Sequence, residues 1–181
     1  AAAEQRLGNA AAALGVLQTA SATFPGDHDV LAALGKAYAA TGNLDQALAA
    51  VRQAQDPAKP DWRLISVEAA ILDQMSKNAD ARKLYARAQM LAPNEPSILS
   101  NYGMSYVLTG DLAKAETLLR QAVAMPGADG RVRQNLALVV GLEGRFDDAQ
   151  KIAAADLAPD EAAANIAYLK QMLGEQDVWK K

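Results

Sequence analysis

Small and large apolar residues return along this chain at a fixed interval of 34 positions. One register is always small: Ala47, Ala81, Ala115 and Ala149. A second, five residues upstream, carries Gly42, Ser76, Gly110 and Gly144. Laid out in units of 34, the chain gives consecutive repeats at 28–61, 62–95, 96–129 and 130–163. Position 8 of each unit is Gly35, Ala69, Gly103 or Ala137. Two helices of one unit would cross most closely there, and a bulky side chain would hold them apart. Position 11 is large, as Tyr38, Leu72, Tyr106 and Val140, and suits a residue wedged between neighbouring helices. Position 24 reads Val51, Tyr85, Leu119 and Ala153, and position 27 reads Ala54, Ala88 and Ala122 before breaking to Asp156. The pattern predicts helix pairs stacked one on the next in a solenoid.

Punctuation falls in the same lattice. Gly42-Asn43, Gly110-Asp111 and Gly144-Arg145 mark the turn inside each pair, since glycine accepts the left-handed backbone that closes a helix. Ser76-Lys77-Asn78 is a weaker stop at the equivalent place. Pro57, Pro93, Pro126 and Pro159 are expected to close the second helices, and Asp61, Ser97 and Asp160 to cap the helices that follow. Gly8, Ala13 and Pro25 keep the phase upstream, so 1–27 reads as the second half of an earlier repeat. At the other end the phase slips by four. Asn165-Ile166-Ala167 through Gly174 repeats Asn135-Leu136-Ala137 through Gly144 only 30 residues on. That predicts a short second helix in the fourth unit, a capping helix near 160–173 that overlaps its end, and a frayed tail over 174–181.

This combination of small, large, glycine, alanine and proline positions resembles the tetratricopeptide repeat (TPR) family over nearly the whole chain. The resemblance implies an all-α fold, a right-handed superhelix of antiparallel helix pairs forming one domain over 1–181. It also implies a scaffold that binds a protein or peptide segment. Composition fits close helix packing, because the 51% hydrophobic fraction is largely alanine and aromatics make up only 5%. A net charge of −3 argues against nucleic acid as a partner, which calls for a concentrated basic footprint. No run of apolar residues is long enough to span a membrane. The absence of cysteine excludes disulfides and thiolate metal sites and leaves the compartment open. The chain opens on Ala1-Ala2-Ala3-Glu4 and is expected to be trimmed, with a signal peptide or lipid anchor removed upstream.

First helices line the concave face of such a stack. In the third unit the groove-facing positions are Ser97, Ser100, Asn101, Met104, Val107 and Leu108. In the fourth they are Arg131, Gln134, Asn135, Leu138, Gly141 and Leu142, and in the second Arg63, Ser66, Val67, Ala70, Asp73 and Gln74. Asn101, Asn135 and, after the phase slip, Asn165 stand in matching places. An asparagine amide offers both a donor and an acceptor, so such a ladder can pair with the backbone of an extended peptide. The alternative is that each asparagine satisfies a neighbouring helix. Met104, Val107, Leu108, Leu138 and Leu142 either hold a partner's apolar side chains or pack against the next unit. Arg131 and Arg133 make a small basic spot or a solvated surface pair. The clamp by which some repeats of this family hold a C-terminal carboxylate is missing. Lys36 alone holds its ninth position, against Ala70, Met104 and Leu138.

Catalysis has little to stand on. His28 is the only histidine, and it opens a repeat, where exposure is expected. Gly35-Lys36 lacks the glycine and the hydroxyl that would make it a phosphate loop, since Val30 and Ala37 stand there. The carboxylates are scattered, and no pair stands out as an acid–base couple. No catalytic residue, metal or cofactor is expected.

The C-terminal third is more particular. The run Arg133-Gln134-Asn135-Leu136-Ala137-Leu138-Val139-Val140-Gly141-Leu142-Glu143-Gly144-Arg145-Phe146-Asp147-Asp148-Ala149 leads to Asp156-Leu157-Ala158-Pro159 and Ala164-Asn165-Ile166-Ala167-Tyr168-Leu169. This resembles the TadD-type TPR proteins of bacterial tight-adherence (Flp) pilus assembly. The resemblance implies a lipoprotein on the periplasmic face of the outer membrane. Its work there would be pilotin-like assistance to the pilus secretin or another Tad component. The cysteine such an anchor needs is absent from this chain. A general TPR adaptor, or a regulatory fragment of a larger complex, is the alternative, and self-association through open solenoid ends is a third possibility.

Overall fold

The computed structural model describes the backbone of residues 2–178 and the side chains of 8–174. All regular structure among the described residues is α-helical. The chain divides into two compact units, Ala1–Pro93 and Asn94–Lys181. The first holds α1 (Ala2–Thr23), α2 (His28–Ala40), α3 (Leu44–Ala54), α4 (Trp62–Gln74) and α5 (Asn78–Leu91). The second holds α6 (Pro96–Val107), α7 (Leu112–Ala124), α8 (Gly130–Leu142), α9 (Phe146–Ala153) and α10 (Pro159–Val178). Within the first unit α2 pairs with α3 and α4 with α5, while α1 lies on α2 and α3 on α4. Within the second, α6 pairs with α7 and α8 with α9, and α10 packs on both α8 and α9. This stacking of adjacent helix pairs is the α-solenoid arrangement.

The 34-residue lattice has a local cause at each helix end. Helices α2, α4, α6 and α8 begin at 28, 62, 96 and 130, and a carboxylate stands immediately before each. The side chains of Asp27, Asp61, Glu95 and Asp129 accept from backbone N–H groups of the first turn, which have no partner inside the helix. Ser97 therefore does not cap α6. Its hydroxyl donates to Glu95 Oε1 at 2.7 Å, and Glu95 is the cap.

The turns inside the pairs share one geometry. Gly42, Gly110 and Gly144 have φ of 80°, 77° and 82°, and Ser76 adopts 61° at the equivalent place. The residue after each donates its N–H back to the carbonyl of position 11: Asn43 to Tyr38, Lys77 to Leu72, Asp111 to Tyr106 and Arg145 to Val140. This is the Schellman closure, which satisfies a carbonyl the helix end leaves open.

Packing inside the pairs depends on small residues. A Cβ on Gly35 would clash with Val51 Cγ2, and one on Gly103 would meet Leu119 Cγ at 3.0 Å. The alanines at position 20, Ala47, Ala81, Ala115 and Ala149, are all fully buried. In the second unit the core gathers Leu119, Leu136, Val139, Val140 and Ile166. In the first, Glu68 is buried at position 7, where the other repeats place Leu34, Tyr102 and Leu136. It accepts from Arg52 Nε at 2.7 Å and Gln55 Nε2 at 2.6 Å, tying α4 to α3 and to the residue that follows α3.

The ends depart from the repeat. Helix α1 runs unbroken through Gly8, so no turn forms there. Helix α9 has only 8 residues. Pro159 opens α10 instead of closing α9, because its fixed φ and missing N–H suit a first helical turn. Asp160 accordingly lies in the first turn of α10. Helix α10 continues to Val178, through much of the segment expected to fray, and residues 179–181 lie outside the described residues.

Candidate protein-binding face

Helices α6, α8 and α10 are lateral neighbours in the second unit. Their registers place equivalent positions side by side. Position 6 carries Asn101, Asn135 and Asn165; position 9 carries Met104, Leu138 and Tyr168; position 13 carries Leu108, Leu142 and Met172. The last two rows form an apolar stripe. Leu108 is 61% exposed, Leu138 37%, Tyr168 66% and Met172 43%, which is more than the core would leave uncovered. Leu142 is half-buried. Met104 and Val107 are also half-buried, and they pack against the core of the unit, so they form the floor of the stripe.

The asparagines differ from one another. Asn135 Nδ2 donates to Ser100 Oγ at 3.0 Å, joining α8 to α6. Asn101 is half-buried and Asn165 exposed. Gln134 and Arg131 are exposed at the polar margin of α8. Arg131 and Arg133 do not act as a pair, because Arg133 is engaged elsewhere. Its Nε and Nη2 hold the two Asp156 carboxylate oxygens at 2.6 and 2.5 Å, and its Nη1 donates to the Ala128 carbonyl at 2.9 Å. The Arg133 guanidinium keeps the Asp156 carboxyl below its ordinary range. This explains the break at position 27. With α9 ended at Ala153, Asp156 stands against Gly130 at the start of α8, not in a helix crossing.

Tyr168 and Met172 are the members of this stripe that sequence reasoning missed. The signal was available, because the shift of 30 that relates Asn165 to Asn135 also relates Tyr168 to Leu138 and Met172 to Leu142. On the first unit the expected face is more polar. Lys36, Arg63 and Gln74 are exposed, Ser66 and Asp73 buried, and Asp73 accepts from Asn78 Nδ2 at 2.8 Å. His28 is exposed, with Nδ1 2.6 Å from the Ala54 carbonyl oxygen, a contact between α2 and the end of α3.

A cleft of about 420 Å³ opens beside the turn between α8 and α9, lined by Arg145, Phe146, Asp147, Asp148, Lys151 and Lys170 among others. Most of its charges have partners. Arg145 pairs with Glu116 at 2.5 Å and with Glu143, Lys151 lies 3.6 Å from Asp148, and Lys170 sits 4.9 Å from the Phe146 ring centroid. Hydrogen bonding from Arg145 holds the Glu116 carboxyl below its usual range, against the opposing effect of partial burial. Arg145–Glu116 and Lys170–Phe146 tie elements together, and the other two pairs are local. Among the described residues no three His, Cys, Asp or Glu side chains gather as a metal site would need. No helix among them is long and apolar enough to cross a membrane.

Two family profiles, both described as tetratricopeptide repeat, match residues 5–71 and 68–130 and together span most of the chain. The chain belongs to the tetratricopeptide repeat family. Solved structures share its fold. A thermophilic TPR protein of Thermus thermophilus superposes with a TM-score of 0.73 at 22% identity, covering 91% of this chain and 92% of that one. Pseudomonas aeruginosa PilF gives 0.68 at 16% identity, covering 94% and 79%. MamA from Desulfovibrio magneticus RS-1 gives 0.61 at 17% identity, covering 93% and 89%. Likeness at these identities speaks for the fold alone. No protein of curated function matches the chain. TPR repeats are protein-interaction scaffolds, generally without catalytic activity, and the partners they take are proteins or peptides.

Proposed function

We infer that this TPR protein is a pilotin-like assembly factor of the Flp pilus machinery. It grips an apolar segment of the pilus secretin, or of another Tad component, along the face of α6, α8 and α10. The observation that carries the binding reading is the stripe of Leu108, Leu138, Leu142, Tyr168 and Met172, flanked by asparagines able to meet a peptide backbone. Four of these side chains stay open to solvent on neighbouring helices of one unit, and an exposed patch of this kind marks an interaction surface. The pilus assignment rests on the resemblance of 133–169 to TadD-type proteins and places the protein at the periplasmic face of the outer membrane. A lipid anchor would come from sequence outside this chain.

A pull-down from detergent-solubilised envelopes of an Flp-piliated bacterium tests both parts. Wild type is run beside Leu138→Glu/Tyr168→Glu and beside Asn101→Ala/Asn135→Ala. Recovery of the secretin or a Tad component by wild type, and its loss with the glutamates, supports the reading. Retention by the asparagine variant would remove the backbone ladder and leave the apolar stripe. Capture of an unrelated complex by the same stripe would make the chain a general TPR adaptor.

A further inference from the structure

The apolar side chains on the face of α6, α8 and α10 stand in two rows. Position 9 gives Met104, Leu138 and Tyr168, and position 13 gives Leu108, Leu142 and Met172. Along each helix the rows are four residues apart, about 6 Å of axial rise. From one helix to the next, members of a row are about 8–10 Å apart, the spacing of packed helices. Helices α6 and α8 approach closely enough for Asn135 on one to donate to Ser100 on the other at 3.0 Å.

An extended segment fits this lattice poorly. It offers one line of side chains on a face, with a step of about 6.6 Å. It would also lean on the asparagine row for its backbone, and the middle asparagine of that row is the one tied to Ser100. A helix fits better. Its residues i and i+7 lie about 10.5 Å apart on one side, and i+3 or i+4 fill a second line between them. Its backbone is satisfied internally and needs no ladder.

The margin of the face adds charge. Position 2 reads Ser97 on α6, Arg131 on α8 and, after the shift of 30, Glu161 on α10. Arg131 and Glu161 are exposed, and neither makes an ion pair among the described residues. On the opposite margin Glu143 is already paired with Arg145. Arg131 stands two turns from Leu138 on the same side of α8, within reach of the flank of a helix about 10–12 Å across. Two free charges of opposite sign, one helix apart, complement a glutamate and a lysine one heptad apart on that flank.

We propose that the segment held here is an amphipathic helix of about two heptads, laid across α6, α8 and α10 with its apolar stripe on the two rows. An acidic side chain of that helix lies over Arg131, and a basic one over Glu161 sets its direction. This rests on the reading of the face as a protein-binding surface.

Fluorescence anisotropy with two synthetic peptides of about 15 residues and one composition tests this. In one, leucines fall at i, i+3 and i+7 along its length, with a glutamate and a lysine one heptad apart on a single flank. In the other the leucines alternate. The helical peptide should bind at least about tenfold tighter than the alternating one, and Leu138→Glu should weaken it at least about tenfold. Arg131→Glu/Glu161→Lys should also weaken it, and should prefer a peptide with glutamate and lysine exchanged, a rescue that misfolding would not give. Equal or tighter binding by the alternating peptide overturns the helix and leaves the face as a binding surface. Binding of neither peptide overturns the helix too. A partner still crosslinked from position 138 in envelopes would then keep the reading of the face, and its absence would remove both.

Discussion

Ser76 adopts a φ of 61°, a left-handed backbone that Gly42, Gly110 and Gly144 occupy at the other three turns. A side chain there crowds the following carbonyl, at a cost of roughly 1–2 kcal/mol. Ser76→Gly should therefore stabilise the protein by about 1 kcal/mol, and Gly110→Ala should destabilise it by a similar amount. Urea unfolding of both variants checks the pair; equal midpoints would show that the turns carry no strain. Gly103 has a different task. With Leu119 Cγ and the Ala115 carbonyl so close to any added Cβ, Gly103→Leu should cost about 1–3 kcal/mol or more by forcing α6 from α7. Both roles were legible in the sequence, because four copies of each register could be compared. Of the acidic caps at 27, 61, 95 and 129 only Asp61 was expected from the sequence, and Ser97, which has the commoner capping side chain, stood in for Glu95.

Helix α10 shows how an element can leave the lattice and still be held by it. Gly141 stands where α10 approaches α8, and a Cβ there would lie 2.5 Å from Leu169 Cδ2. That atom is the tip of a flexible side chain, so Gly141→Ala should be mild. Gly141→Phe should undock α10, seen as lost hydrogen-exchange protection from Ala162 to Leu169 with α6 and α7 unchanged. Loss spread evenly over the unit would contradict a role confined to docking.

Charges set the remaining ties. The Glu116 carboxyl is held low chiefly by its hydrogen bond from Arg145, and the Asp156 carboxyl by that from Arg133. Depressed carboxylate pKa values contribute stability that is present above the ordinary carboxylate range and lost as pH falls through the folded values. The melting temperature of the wild type should thus fall on acidification more steeply than that of Glu116→Gln/Asp156→Asn. Parallel curves would mean that neither pair contributes. Here the sequence was harder to read. The phase slip announced a short α9, but the Arg133–Asp156 pair arises from a loop that the repeat does not encode. Pro159 was ambiguous because proline both follows one helix and opens another.

At the scale of the molecule, repetition makes a scaffold readable and a binding face only partly so. The rows at positions 9 and 13 followed from register through Leu138 and Leu142, and they needed the shifted phase to reach Tyr168 and Met172. Whether an asparagine faces a peptide or a neighbouring helix depends on side-chain partners such as Ser100, which spacing does not reveal. The central claim is that this face of α6, α8 and α10 holds a protein segment. Photo-crosslinking tests it most directly, with a benzophenone side chain placed at Leu138 or Tyr168 and, as controls, at Lys83 or Thr117, all exposed or largely so. In envelopes of a piliated bacterium, the account predicts a discrete crosslinked partner from 138 and 168 and none from 83 and 117. Crosslinking that is absent from the face, or equal at all four positions, would contradict it.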